Sequence, residues 1–344
     1  MKTKILGAED MASLLRTVGP DRLMDLMLDA LRRRFAEHDE ETVEVRTRDG
    51  FRYDKPDLGL IEWMPTHERG GPVVIKMVGY HPTNPLQRSL PSVIATSSMW
   101  DTESGHLVAI ADATLLTALR TGAASGLATD LLARRGPVTV GVVGLGAQAV
   151  TQVHAISRVR PIERIIGLDT DPDAAASFAR RTAFIGVPVE VVDPARSATL
   201  LGEVDVMCTC TSVDIGADAV VADVPVRPWL HVNAVGADFP GKVELPRSLV
   251  ERACVVPDIL AQCIVEGECQ QVPADRIGPS LSELVQQPDE RRRDQITVFD
   301  STGWAVEDDV ALRLAVELAE THGFGTDIEL EHLPPDPYDP YATR

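Results

Sequence analysis

Basic residues are scarce in this sequence. Lysine and arginine number 33 against 52 aspartates and glutamates among 344 residues, which leaves a formal net charge of −19 at pH 7. Proteins that bind nucleic acid carry a basic patch or stripe, and attachment to an anionic membrane surface also depends on clustered basic residues. The composition therefore argues against a nucleic-acid partner and against a membrane partner.

Long apolar runs are lacking as well, and cysteines are few. No segment approaches the roughly 20 apolar residues of a transmembrane helix, and the first residues, MKTKILGAEDM, lack the apolar core of a signal peptide. No group of histidines, cysteines and carboxylates has the spacing of a zinc site. The five cysteines are odd in number and lie in or near apolar runs: Cys208, Cys210, Cys254, Cys263 and Cys269. We therefore expect a cytoplasmic protein with reduced thiols and no metal.

Residues 137–171, PVTVGVVGLGAQAVTQVHAISRVRPIERIIGLDTD, have the pattern of a dinucleotide-binding unit. A β-branched run predicts a buried strand, and Gly144 and Gly146 follow it directly. Ala149 supplies a third small residue at the start of a helical pattern. A second apolar run then ends at Asp169. Strand, glycine-rich turn, helix, strand and acid in this order indicate a dinucleotide site, and the alternative is a βαβ turn without a ligand.

Each part of this unit has a physical role. Gly144 permits the tight turn, and Gly146 lets the backbone approach a pyrophosphate, which the N–H groups of the helix N-terminus can bind. The carboxylate of Asp169 can accept hydrogen bonds from both ribose hydroxyls and would repel a 2′-phosphate. The pattern therefore predicts NAD rather than NADP.

The remainder of the chain predicts an α/β protein. Apolar residues at helical spacing predict a short helix near residues 11–18 and a longer one from about residue 21. Strand-like runs at 60–64, 73–78, 93–98 and 107–111 have no intervening helices and predict an antiparallel or mixed sheet. Helical and strand patterns alternate after Asp169, and apolar residues at 311–318 predict a C-terminal helix. Residues 37–59 are charged and rich in turn residues, and we predict no strand there.

We predict two domains. A Rossmann-like NAD-binding domain would cover residues 120–304, and an α+β substrate-binding and dimerisation domain would be built from both chain ends, residues 1–119 and 305–344. Such an arrangement places a substrate in the cleft between domains.

Four charged residues stand in apolar surroundings, where desolvation is costly unless the charge has a partner or a function. Glu62 and Lys76 lie within strand-like runs, Arg120 lies in an apolar helical pattern, and Asp238 follows the run 231–237. Ligands of open α/β sheets bind at the carboxyl ends of strands, which makes Asp238 the strongest candidate. The alternative is structural pairing, for example of Lys76 with Glu62 across two strands.

Several motifs together resemble the ornithine cyclodeaminase/μ-crystallin family. The segments that carry the resemblance are GLIEWMP at 59–65, LTALRTG at 116–122, GLGAQA at 144–149, NAVGADFPGKVELP at 233–246 and VFDSTG at 298–303. They span nearly the whole chain. Within the family, EGECQQ at 266–271, ADRIGPSL at 274–281 and FDSTG are most similar to bacterial lysine cyclodeaminases, which make L-pipecolate for secondary metabolism.

The resemblance implies a redox-neutral reaction. NAD takes a hydride from Cα of an amino acid, the distal amine attacks that carbon, ammonia leaves, and the hydride returns to the cyclic imine. Arg48, Lys76 and Arg120 match the positions that hold the substrate carboxylate, which guanidinium groups bind well. Glu62 and Asp238 match the acid/base pair.

The resemblance further implies a homodimer and a set of residues that contact the cofactor: Ser92, Gly144, Gly146, Ala147, Gln148, Asp169, Lys242 and Ser301. Arg46 and Arg52 are alternatives to Arg48 for binding the carboxylate, because the loop before Glu62 is irregular.

Lysine is the expected substrate, and ornithine, which is one methylene shorter, is the alternative. Two further alternatives are a net NAD(P)-dependent imine reductase or amino-acid dehydrogenase on the same fold and a cofactor-carrying binding protein. The presence of both Glu62 and Asp238 argues against the last.

Overall fold

Two β-sheets organise the structure, a computed structural model that describes residues 1–343. The first has eight strands, drawn from both ends of the chain: β1 (Thr3–Leu6), β2 (Val43–Val45), β3 (Asp49–Tyr53), β4 (Gly59–Glu68), β5 (Val73–Tyr80), β6 (Val93–Trp100), β7 (Leu107–Asp112) and β15 (Thr326–Ile328). Their order is β15-β1-β7-β6-β5-β4-β2, and β3 pairs with β4. The β1–β7 pair is parallel and the other pairs are antiparallel, so the sheet is mixed as predicted.

The second sheet is a doubly wound parallel sheet. It contains β8 (Val138–Val143), β9 (Ile162–Leu168), β10 (Val189–Val191), β11 (Val206–Thr209), β12 (His231–Ala234), β13 (Cys254–Pro257) and β14 (Thr297–Asp300). The strand order is β10-β9-β8-β11-β12-β14-β13, and every pair is parallel. The central strands are buried on both faces, which explains why their sequences are continuous apolar runs. This topology confirms the predicted Rossmann-like fold class.

Residues 1–343 contain eleven α-helices: α1 (Ala8–Val18), α2 (Pro20–Ala36), α3 (Asn84–Arg88), α4 (Thr114–Leu132), α5 (Ala147–Val159), α6 (Pro172–Arg181), α7 (Leu200–Glu203), α8 (Arg247–Arg252), α9 (Leu260–Cys263), α10 (Leu281–Gln286) and α11 (Ala305–His322). In the part of the chain that the structure describes, none of these helices has the length and apolar character of a membrane span.

Helix α4 connects the two halves of the molecule. It packs against α2 and α11 on one side and against α5 and β12 on the other. Gly122 permits the close approach to α5, because a Cβ atom there would lie 2.6 Å from the carbonyl oxygen of Thr151. This helix is buried nearly all round, so it carries its one arginine, Arg120, into the junction between the sheets.

Helix α11 lies on the inner face of the first sheet, against β4, β5 and β6. Side chains of a strand alternate between its two faces, and on β5 the buried positions are Val74 and Lys76. On β4 they include Glu62 and Met64. Lys76 and Glu62 therefore point from the sheet toward α11 and the molecular interior.

The structure departs from the sequence predictions at the edges of the first sheet. Residues 37–59 contain the short strands β2 and β3, where no strand was predicted, and β1 and β15 were also missed. These strands have three to five residues each, and the residues of β3 are largely exposed. Such short strands lack the alternation of apolar and polar residues on which a strand prediction depends. The first helical pattern after Asp169 corresponds to two elements, α6 and a 3₁₀ turn at Ala183–Ile185.

Candidate active site

A cavity of about 550 Å³ lies between the two sheets, at the carboxyl ends of the parallel strands. Eleven of the thirteen predicted site residues line it; the exceptions are Gly144 and Asp169, which lie in and beside the glycine-rich turn. One wall contains the start of α5, and the opposite wall contains Glu62, Lys76 and Arg120. A site for a dinucleotide and a site for a small charged ligand therefore share one cavity.

The glycine-rich turn has the conformation that the sequence predicted. Gly144 has φ +85°, and a Cβ atom there would lie 2.7 Å from the carbonyl oxygen of Cys210, so only glycine fits. Gly146 precedes α5, and within the described residues no atom lies within 4 Å of its Cβ position. Asp169 follows β9 and accepts a hydrogen bond from the N–H of Leu145 at 2.6 Å. The acid and the open helix N-terminus thus flank the same turn.

Two polar side chains near this turn have different environments. Gln148 donates to Thr151 Oγ1 at 3.0 Å and to the carbonyl oxygen of Ala118 at 3.4 Å, which ties α5 to α4. Ser301 lines the cavity, and its buried Oγ has no hydrogen-bond partner among residues 1–343. A buried hydroxyl without a partner is costly, so this group is available to a ligand.

Lys76 and Arg120 share one carboxylate. The Nζ of Lys76 lies 2.9 and 2.8 Å from the two carboxylate oxygens of Asp308, and Arg120 Nε donates to Asp308 Oδ1 at 2.9 Å. Arg120 Nη1 also donates to Glu307 Oε2 at 2.7 Å. All four side chains are buried. The pairing of Lys76 with Glu62, which the sequence left open as an alternative, is not formed: the Lys76 ammonium contacts Asp308, and Lys76 lies opposite Met64 in the β4–β5 register.

Arg48 supplies a third cation on the same side of the cavity. Its Nε lies 3.0 Å from Glu266 Oε1, and its Nη1 lies 3.6 Å from Glu62 Oε2. Its Nη2 donates to the carbonyl oxygens of Thr302 and Gly303. Of its two competitors, Arg46 is largely exposed and pairs with Glu44, whereas Arg52 also lines the cavity.

Burial changes the pKa values of the groups on this wall. It lowers the pKa of Lys76 to about 8, and the neighbouring Arg120 adds to the effect. It raises the pKa of Glu266 and of Glu307 to about 8, against the opposing influence of Arg48 and of Arg120. Burial also raises the pKa of Glu62, and the Arg48 charge counteracts this rise. The wall therefore has its highest positive charge below about pH 8.

Asp238 lies beyond the end of β12, as predicted, and about half of its side chain is exposed to the cavity. Its Oδ1 lies 2.8 Å from Nζ of Lys242, which in turn stands 5.3 Å from the centre of the Tyr80 ring. Burial disfavours the charged form of Lys242, but the combined effect of Asp238, Tyr80 and Glu244 outweighs it and raises the lysine pKa. The base candidate thus has a cationic partner four residues away on the same loop.

A buried carboxylate holds the loop that carries Asp238. Glu244 accepts hydrogen bonds from the N–H and Oγ1 of Thr211, at 2.7 and 2.6 Å, and from the N–H of Gly236 at 2.7 Å. Thr211 follows β11 and Gly236 follows β12, so one side chain ties together two strand-end loops that line the cavity. Glu268 in turn accepts from the N–H of Glu244 at 2.7 Å.

The sequence analysis missed the anions that hold the cations, namely Glu266, Glu307 and Asp308. A signal for two of them existed: Glu307, Asp308 and Asp309 are three consecutive acids at the start of a helix that is otherwise largely apolar. Three acids that are all buried require cationic partners.

The described residues contain one group that could hold a metal ion, formed by Cys263, Cys269 and Asp300. Its polar atoms already have partners: Asp300 accepts from the N–H groups of Glu268 and Cys269, and Cys263 Sγ donates to Asp258 at 3.1 Å. Burial raises the pKa of the Cys263 thiol well above its usual value. The group is therefore a set of protonated thiols in a satisfied hydrogen-bond network.

Comparison with known proteins gives a consistent set of relatives. The model of the ornithine cyclodeaminase/mu-crystallin family matches residues 8–323. An L-lysine cyclodeaminase of Streptomyces rapamycinicus is 43% identical over 345 residues, which cover 99% of this chain and 100% of that protein.

Solved structures of two such relatives are similar to this chain over nearly its whole length. A lysine cyclodeaminase, studied for its recognition of L-lysine, L-ornithine and L-2,4-diaminobutyric acid, has 45% identity and a TM-score of 0.96, with 100% of both chains covered. An archaeal alanine dehydrogenase dimer with bound NAD has 30% identity and a TM-score of 0.83, with 96% of this chain and 100% of that chain covered.

We expect carboxylate binding to weaken as pH rises through about 8. Above that pH Lys76 loses its positive charge while Glu266 and Glu307 gain negative charge, and all three changes oppose an anion. Titration calorimetry with cyclohexanecarboxylate, whose own charge is constant over this range, should show an affinity about tenfold lower at pH 9 than at pH 7. The uncharged cyclohexanecarboxamide serves as control. A carboxylate affinity independent of pH would contradict this charge assignment.

Proposed function

The chain belongs to the ornithine cyclodeaminase/mu-crystallin family, and from this premise we propose that it is an NAD-dependent lysine cyclodeaminase. It converts L-lysine to L-pipecolate and releases ammonia without net redox change. One observation carries the proposal: three buried cations, two acids and a dinucleotide turn line a single cavity in a chain similar over its full length to an L-lysine cyclodeaminase.

The residues of the turn fit NAD. The space beside Gly146 is open, Ser301 Oγ lacks a partner within residues 1–343, and the Asp169 carboxylate stands where it can accept from ribose hydroxyls. Bound NAD would supply the acceptor for the hydride from Cα of the substrate and the donor for its return. Further contacts would come from Ser92, Gly144, Ala147, Gln148 and Lys242.

Arg48, Lys76 and Arg120 would bind the substrate carboxylate. They come from a loop, a strand and a helix that are distant in sequence, and all three line the cavity. A planar carboxylate can accept two parallel hydrogen bonds from a guanidinium group, and burial of the site strengthens such contacts. Fixing the carboxylate also fixes the position of the adjacent Cα.

Asp238 would serve the distal amine. The ε-amine of lysine is an ammonium ion at neutral pH and cannot attack carbon until it loses a proton. Asp238 is half-exposed in the cavity, and its contact with Lys242 keeps its carboxylate oriented. A base in this position can remove the proton and hold the free amine toward Cα.

Glu62 would handle the proton that accompanies the leaving ammonia. Burial raises its pKa, and the nearby Asp238 adds to the rise, so this carboxyl group takes up a proton more readily than an exposed glutamate. Its contact with Arg48 keeps it beside the residue that would hold the carboxylate. The two acids therefore have different partners and different roles.

We further propose a division into residues 120–304 for NAD and residues 1–119 with 305–344 for substrate binding and dimerisation. The outer face of the first sheet supports a homodimer, because it exposes the apolar side chains of Phe51, Ile61, Met77, Ile94 and Trp100. The five cysteines are free thiols, which supports a reducing, cytoplasmic compartment.

Ornithine is the second candidate substrate. One methylene changes the binding energy in a pocket by only about 1–3 kcal/mol, so a lysine site can also accept the shorter amino acid. A solved relative with 45% identity was studied with both substrates. Net reduction or dehydrogenation is the remaining alternative, since an alanine dehydrogenase shares the fold.

The overall stoichiometry tests the proposed function. The protein with lysine should release one ammonia for each cyclic product, and absorbance at the NADH maximum should show no steady rise, because the reaction returns every hydride it takes. Ornithine in a parallel reaction gives the relative kcat/KM, which should favour lysine. NADH that accumulates in step with product would contradict the redox-neutral reaction and favour a dehydrogenase.

Asp238→Asn keeps the shape of the side chain and removes its basicity. Pipecolate formation should fall at least about 100-fold, the range expected for loss of a general base. NAD affinity by calorimetry and the thermal midpoint should stay close to those of the parent protein. Asp218→Asn, an exposed residue outside the cavity lining, is the matched control. Full cyclisation activity in Asp238→Asn would exclude this residue from the mechanism.

A further inference from the structure

Within the described chain, Asp308 is the one side chain that contacts two of the three cations proposed to bind the carboxylate, Arg48, Lys76 and Arg120. Its Oδ1 accepts from Lys76 Nζ and from Arg120 Nε, both at 2.9 Å, and its Oδ2 lies 2.8 Å from the same lysine nitrogen. Lys76 belongs to β5, Arg120 to α4 and Asp308 to α11. Three separate elements therefore meet at one carboxylate, which does not itself line the cavity.

Two buried cations side by side repel each other, and the low dielectric of the interior strengthens the repulsion. The effect is visible at Lys76, whose pKa is lowered to about 8 by burial and then by the Arg120 charge, while Asp308 opposes the shift. Without the carboxylate, the lysine would lose its proton or turn away from the arginine. The juxtaposition of Lys76 with Arg120 thus depends on Asp308.

The contacts of Arg120 with α11 use only part of its guanidinium group. Nε donates to Asp308 and Nη1 donates to Glu307. Nη2 stands beside Gly303, where a Cβ atom would approach it to 2.9 Å, so the glycine leaves the room that the guanidinium group needs. The donors that do not face α11 remain for a ligand in the cavity.

We propose that Asp308 is a positioning residue for carboxylate recognition. It holds the Lys76 ammonium and the Arg120 guanidinium in fixed relative orientation, so that their remaining donors match the two oxygens of the substrate carboxylate. This inference rests on the proposed function for the identity of the substrate. Asp308 acts through the two cations and has no contact with the substrate.

Glu307 differs from its neighbour although both acids contact Arg120. It bonds only the arginine, through Oε2, and its buried Oε1 has no hydrogen-bond partner within residues 1–343. Burial raises its pKa to about 8, so it can carry a proton at neutral pH. Of the two acids, only Asp308 contacts both Lys76 and Arg120.

Asp309 provides the matched control. It is the next residue of α11, is as deeply buried as Asp308, and pairs with Arg313 at 2.7 Å and with Arg34 at 3.9 Å. Neither arginine lines the cavity. Asp309→Asn therefore repeats the chemical change, the burial and the helix position without touching the carboxylate-binding cations.

The test compares Asp308→Asn with Asp309→Asn by steady-state kinetics, NAD titration and thermal denaturation. Asp308→Asn should raise the KM for lysine at least about 30-fold, the loss expected when charge-assisted hydrogen bonds are disordered. NAD affinity should change less than about twofold, and Asp309→Asn should stay within about threefold of the parent KM. An Asp308→Asn KM no higher than that of Asp309→Asn would show that Asp308 only stabilises the fold.

Asp308→Glu tests whether the position of the negative charge matters as well as its presence. It also takes the place of Asp308→Asn if the asparagine variant does not fold. The longer side chain keeps the charge but displaces it, so the KM for lysine should still rise about tenfold. A wild-type KM in this variant would overturn the proposal, because charge alone would then suffice.

Calorimetry with cyclohexanecarboxylate on the same variants distinguishes failure of this inference from failure of the proposed function. The expected result is a loss of carboxylate affinity, confined to the Asp308 variants, that parallels the rise in KM. One outcome is that the parent protein binds cyclohexanecarboxylate, the Asp308 variants do not bind it, and the parent does not convert lysine. In that case the positioning role stands and the proposed function is wrong. If lysine is converted and all variants bind the carboxylate equally, the function stands and the positioning role is wrong.

Discussion

The fold depends on acidic side chains that neutralise the positive charges buried at the junction of the two sheets. Lys76 and Arg120 are buried and the Arg48 side chain is 9% exposed, and each charge would be unstable there without an anionic partner. The partners come from α11 and from the loop before Glu268, so the cations have these anionic partners only when α11 is packed on the first sheet. The packing of the two chain ends and the construction of the carboxylate site therefore depend on the same contacts.

The second sheet holds the loops on the other side of the cavity in fixed positions. Its carboxyl-end loops are held by buried acids that accept backbone N–H groups, as Glu244 does for the loops after β11 and β12. The Glu244 carboxylate thereby holds the loop that carries Asp238 in place. Helix α4 joins the two systems, because it contacts α5 through small residues and delivers Arg120 to the cation cluster. A reaction that takes and returns a hydride within one cavity requires this fixed relation between cofactor and substrate sites.

Sequence reasoning succeeded where structure is set by local pattern. The strand, turn and helix around Gly144 are encoded by adjacent residues, and the charged residues Lys76 and Arg120 were recognisable because their neighbours are apolar. The partners could not be predicted, because Arg120 and Asp308 are 188 residues apart and only the packing of α11 on α4 brings them together. For the same reason the sequence suggested the wrong partner for Lys76. The edge strands β2 and β3 escaped prediction because few of their side chains are buried, which leaves no alternation to detect.

The central claim is that one cavity removes and returns the same hydride while the α-nitrogen departs. L-Lysine labelled with deuterium at Cα and with ¹⁵N in the α-amino group tests it in a single reaction followed by mass spectrometry. The account predicts pipecolate that retains deuterium at C2 in nearly all molecules, together with ammonia that carries the ¹⁵N label. Pipecolate with hydrogen at C2, or with the ¹⁵N label in its ring, would contradict it.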